Sequence, residues 1–184
     1  MRIGPLVLSI VLVAAAGAQT QPGPPSPFES TLKYFARQLG LPDLRNGIPA
    51  GDAEVRIWSG FGLTGETLIR AVRHGGRWVI TRHDDPSSPT PNAFQPWIAD
   101  SVWRRRWTRT IADSFAALPQ TPRRPDPWLF VDDGWGVVIE AAEGKHYHIA
   151  GADNPQSFCS ADDQRMLRVI APLGLGVTTK CVTR

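Results

Sequence analysis

Residues 1–18 constrain this chain more than any other segment, because they set the conditions under which the remainder must fold. Arg2 precedes an apolar run from Leu6 to Ala16, and Ala16-Gly17-Ala18 places small residues where a signal peptidase cuts. The run is shorter than the roughly 20 apolar residues needed to span a bilayer. No cysteine follows it to carry a lipid. The expectation is a cleaved signal peptide over residues 1–18 and a soluble mature chain from Gln19, with no membrane span, in the periplasm or secreted.

Removing 18 of the 184 residues leaves 166, enough for one domain with a substantial core. Arg2 is the one charge in the leader, so the formal net charge falls from +3 to +2. So balanced a chain lacks the electrostatic signature of a nucleic-acid binder, and no nucleic-acid partner is expected. Cys159 and Cys181 are the two cysteines. In an oxidising compartment an even pair, too far apart for a CxxC redox motif, reads as a structural disulfide. Closing that loop stabilises the fold by about 3 kcal/mol in the chain-entropy model.

Residues 19–27 (QTQPGPPSP) form a Pro-rich, uncharged spacer of extended character, and residues 28–184 read as a single α+β domain. Phe28, Leu32, Phe35 and Leu39 recur at helical spacing, with Gly40 and Pro42 as the stop. Val55 and Ile57 alternate with Glu54 and Arg56 in a strand pattern. Glu66 to Arg73 fits either a helix or a strand. The preferred reading is a hairpin with 77–82 through Gly75-Gly76, which sets Arg73 opposite Trp78 in a cation–π pair.

A loop from Asp84 to Pro96 leads into one helix from about Pro96 or Asp100 to Leu118, whose stripe is Trp103, Trp107, Ile111, Phe115 and Leu118. Arg104 falls inside that stripe and is expected to pair with Asp100, while Arg105, Arg106 and Arg109 form a wet face. Strands at 135–141 and 145–150 follow, joined by a three-residue loop, Ala142-Glu143-Gly144. Ser160 and Asp163 then make a capping box for a last helix with Met166, Leu167, Val169, Ile170 and Leu173 inward. The sum is an α+β fold of about five antiparallel strands and three helices, the helices on one face, with one disulfide.

Several patterns bear on chemistry. Gly60-Phe61-Gly62-Leu63-Thr64-Gly65 is a literal G-x-G-x-x-G, with Asp84 where a ribose-binding acid would stand. Two residues separate Ile57 from Gly60, the following helix would be short, and export removes the dinucleotide pool; the preferred reading is a Gly-rich loop and no cofactor. With the three-residue loop, Glu140 lies opposite His146 and shares its face with His148. Glu140, His146 and His148 are therefore the candidate ligands for Zn²⁺ or Fe²⁺. His83-Asp84-Asp85 and Asp132-Asp133 offer paired acids for acid–base work, although adjacent acids are more often solvated turn residues. Arg104 to Arg106 between Trp103 and Trp107 suggests a polyanion strip, which the helical wheel disperses.

No recognisable nucleophile motif, metal helix or phosphate loop occurs. The function expected is a non-catalytic binding or interaction module of the cell envelope, its partner an envelope component or small ligand. The alternative is a small metal-assisted or hydrolytic enzyme using Glu140, His146 and His148.

Overall fold

Ala53–Gly60 forms β1, and all eight of its residues are buried. A strand buried on both faces must lie at the centre of a sheet covered on both sides, and the remaining elements arrange themselves around it. The structure, a computed structural model, describes residues 27–60, 66–86, 93–123, 134–176 and 180–181. The expected signal peptide, all of the spacer but Pro27, which opens the first helix, most of the G-x-G-x-x-G segment and Asp132-Asp133 lie outside these residues.

β1 pairs on one side with β2 (Thr67–His74) and on the other with β5 (Gly136–Glu143). β3 (Arg77–Asp84) and the two-residue β4 (Gln95–Pro96) extend the first edge, and β6 (His146–Asp153) completes the second. The sheet is six-stranded and antiparallel throughout, in the order β4-β3-β2-β1-β5-β6. The Gly75-Gly76 hairpin is present. Arg73 stands opposite Trp78, its guanidinium 5.6 Å from the indole centroid. The sixth strand is β4, an edge segment too short to read from periodicity.

The helices cover both faces of the sheet, where the sequence suggested one. Val55 and Ile57 of β1 face α2 (Asp100–Arg106), α3 (Arg109–Ala116) and α5 (Ala161–Ile170). Trp58 faces α1 (Pro27–Gln38), whose Leu32 and Phe35 pack with Trp58, Leu68, Val138 and Ile149. The alternation of Glu54 and Arg56 with Val55 and Ile57 marks a strand, and both its polar residues are interior: Glu54 is 4% and Arg56 1% exposed.

The long middle helix is also two helices. Thr108 turns out of α2 and caps α3, its Oγ1 accepting from the Ile111 N–H. Threonine offers the backbone an alternative partner, which a stripe count cannot register. Across the break Trp103 and Trp107 stack at 5.8 Å, extending a row from Trp78 through Trp103 and Trp107 to Phe115. The Asp100–Arg104 pair forms at 2.9 Å, and Arg104 also donates to the Gly76 carbonyl, tying α2 to the β2–β3 turn. Arg106 departs from its expected wet position: it donates to the Leu173 carbonyl at 2.7 Å and lies over the Trp97 ring.

A four-residue helix, α4 (Pro155–Phe158), precedes α5, so the described residues hold five α-helices. Ser160 and Asp163 form the complete capping box, and Met166, Leu167, Val169 and Ile170 are buried. Cys159 and Cys181 form a disulfide, Cα atoms 5.7 Å apart, fastening the chain after α5 to the start of that helix. Asp162, 3% exposed, accepts from the Arg123 backbone and side chain and so ties the loop after α3 to α5. The bridge closes a loop of 22 residues. Replacing both cysteines by serine is expected to remove about 3 kcal/mol of stability. Urea denaturation should show the loss in the variant and in reduced protein, with no such loss in oxidised protein.

Candidate ligand-binding cavity

The α1 face of the sheet carries charge at its centre. The register sets Arg56 of β1 directly between Arg70 of β2 and Glu140 of β5, with Ile149 of β6 beyond Glu140. Glu54, two residues along β1 on the same face, accepts from Arg56 Nε at 2.7 Å and from Arg70 Nε and Nη2 at 2.7 and 3.0 Å. Burial pushes the Glu54 carboxyl up, and the two arginines more than reverse it, holding the group below its ordinary value. Glu140 accepts from Trp58 Nε1 at 3.0 Å and from the Tyr147 hydroxyl at 3.1 Å, with Arg56 Nη1 4.0 Å away.

The chain after α1 walls this floor. Gly40, at φ 65°, reverses the backbone in a conformation that only glycine takes without strain, and the Leu41 N–H returns to the Ala36 carbonyl. Asp43 caps a short 3-10 turn, Leu44–Asn46, which buries Leu44 against the sheet. Arg56 Nη2 donates to the Pro42 carbonyl at 2.8 Å, gripping the loop from beneath. The loop then docks on the β5–β6 hairpin through Ile48 N–H to the Gly144 carbonyl at 2.8 Å. A Cβ on Gly47 would come within 3.0 Å of that same oxygen, so only glycine allows the approach.

Between α1, this loop and the sheet lies a cavity of about 410 Å³. Leu32, Ala36, Leu41, Leu44 and Ile149 supply its apolar wall; Arg56, Glu140 and Tyr147 its polar floor; Lys33, Arg37, Asp43 and Arg45 its exposed lining. The Arg45 side chain, hydrogen-bonded to Asp43, holds that carboxyl below its ordinary value, with Lys33 acting in the same direction. The volume falls in the range of small-molecule sites, which combine apolar walls with a few fixed polar groups.

The residues singled out from the sequence do not meet there as a set. The β5–β6 turn is Gly144-Lys145, two residues, so Glu143 stands opposite His146, Ala141 opposite His148 and Glu140 opposite Ile149. The pairing differs from the expected one by an odd number of positions, which exchanges the two faces of one strand relative to the other. Glu140 therefore faces α1, while His146 and His148 face the opposite side. Among the described residues no group of three or more His, Cys, Asp or Glu is placed to hold a metal.

His148 packs edge-on against Phe115 at 4.8 Å, and burial lowers its pKa while the Leu118 and Phe115 backbones oppose the shift. His83 is buried edge-on to Phe94, and Asp84, on the other face of β3, pairs with Arg82 at 2.7 Å. Strand β2 comes after Gly65 in place of a helix, so a dinucleotide reading loses the helix N-terminus it depends on. Sequence reasoning missed Glu54, Arg56 and Tyr147 altogether as site residues. The available signal was two charged residues flanking Val55 in a strand that also carries Ile57 and Trp58.

Glu54→Ala strands two arginines and is expected to cost about 3–5 kcal/mol in urea denaturation. Adding Arg56→Met should recover part of that loss, making the pair strongly non-additive. For His148, the folded pKa lies below the ordinary 6.5. The unfolded chain thus binds the proton first on acidification, so this contribution is complete above about pH 6.5 and is lost as pH falls. Denaturation midpoints for the wild type and His148→Phe should diverge in slope between pH 7.5 and 5, roughly the range over which histidine charges, the variant being flatter. Compared with protein-family models, curated proteins and solved structures, the chain finds no match in any of the three, so the cavity is interpreted from its own chemistry.

Proposed function

We propose that this protein is a non-catalytic binding module of the cell envelope, exported by its N-terminal leader, which holds a small ligand beneath α1. The observation that carries the reading is the cavity of about 410 Å³ with a polar floor fixed from three strands. Glu140 has each oxygen engaged by a donor, and Asp43 is held by Arg45. The described lining residues include no serine, threonine, cysteine or histidine to act as nucleophile or base. Preset polar groups in an apolar recess suit recognition. Support for export comes from the leader pattern together with the Cys159–Cys181 disulfide. Among the described residues no helix is long and apolar enough to cross a membrane. The metal-assisted alternative loses its basis, because Glu140 faces away from His146 and His148.

The neutral fluorophore N-phenyl-1-naphthylamine tests the cavity directly. Its emission should rise on mixing with the wild-type protein and stay near the free-dye level with Ala36→Trp, which fills the recess. Equal enhancement by both proteins, with both folded by circular dichroism, would remove the cavity as a binding site.

A further inference from the structure

We infer that the ligand is an amphiphilic anion, its acidic head between Lys33 and Arg37 and its apolar body against Leu44 and Ile149. This assignment rests on the cavity being a ligand site and adds the chemical class.

Charge and apolar surface sit at different depths in the cavity. Lys33 and Arg37 are four residues apart on α1, hence on one side of the helix, and both are exposed lining residues. Among the described residues neither takes part in a salt bridge, whereas Asp43 is occupied by Arg45. Deeper in, Leu44 is 1% and Ile149 7% exposed, and they offer no polar side-chain atom.

The floor gives the orientation. The Glu140 side chain is 13% exposed, and its nearest cation, Arg56, is already committed to Glu54 and the Pro42 carbonyl. An anion at the base would stand against this carboxylate in a region of reduced dielectric, where like charges repel strongly. An anion at the exposed lining meets Lys33 and Arg37 instead, and the one carboxylate there, Asp43, is paired with Arg45. A cationic amphiphile is disfavoured in the orientation the apolar wall imposes, since its head would rest between Lys33 and Arg37.

Displacement of N-phenyl-1-naphthylamine by decanoate, decanol and decylamine separates the possibilities. Decanoate should displace the dye at a concentration about fivefold lower than decanol, the scale of two solvent-exposed ion pairs. That advantage should vanish in Lys33→Gln/Arg37→Gln and in 0.5 M salt, roughly where screening reaches a few ångströms, with thermal melting confirming that the variant is folded. Equal displacement by decanoate and decanol, or stronger displacement by decylamine, overturns the anion assignment and leaves the cavity reading standing. No displacement by any of the three, with dye enhancement also unaffected by Ala36→Trp, overturns both. Retention on phosphatidylglycerol vesicles without displacement by decanoate would place anion recognition on the surface and likewise overturn the assignment.

Discussion

Glu54 stands where an apolar residue would be expected, in the most buried strand of the sheet, and accepts three hydrogen bonds from two arginines. A buried carboxylate survives only when its desolvation is met by close, well-directed donors. Arg56 and Arg70 supply them from two adjacent strands, and the geometry fixes more than charge. Arg56, held at Nε by Glu54, has Nη2 left to reach the Pro42 carbonyl and Nη1 to approach Glu140. The loop after α1, the floor of the cavity and the central strand are thus linked through one guanidinium. Lysine could not replace it, because the contacts require separate nitrogens in a rigid fork.

The two faces of the sheet are stabilised by different means. Opposite α1, Val55, Ile57, Ile69 and Ile139 meet the aromatic row of α2 and α3 and the apolar side of α5 in the larger of the two hydrophobic clusters. On the α1 side the apolar cluster is smaller, and the same face of the sheet carries the ion pairs of Glu54, Arg56 and Arg70. The recess lies on this face, between α1, the loop that follows it and the sheet. The disulfide and the Asp162–Arg123 contact belong to the other side, where they anchor the segments flanking α5.

The parts of the fold legible in the sequence were those fixed by short-range chemistry. Gly75-Gly76 between two alternating runs gave the hairpin and, with it, the Arg73–Trp78 pair, because a two-residue turn leaves one register. Ser160 and Asp163 gave the start of α5, and Asp100 and Arg104 their contact, since both depend on spacing along one helix. The split at Thr108 was not legible: the stripe through Trp103, Trp107 and Ile111 continues across it, and capping competes with helix continuation by a margin periodicity does not measure. The α1 cavity was hidden for a related reason. Lys33, Arg37, Arg56 and Glu140 are scattered over more than a hundred positions, and each alone resembles an ordinary charged surface residue.

The sequence by itself determined the α+β class, the capped terminal helix and, through having just two cysteines, the identity of the disulfide partners, whereas the hairpin at Gly75-Gly76 was its preferred reading and the structure decided strand over helix for 67–74. Tertiary structure alone decided which side chains share a face. Along a strand the side-chain period is two, so moving the β5–β6 turn from three residues to two carried Glu140 away from His146 and His148 and left it in the row with Arg56 and Arg70. It also decided that Glu54 and Arg56 are interior groups, because α1 and its following loop cover the face they occupy. Local chemistry specifies elements, whereas shared environment depends on register and on what packs above, and both are set by contacts distant in the chain.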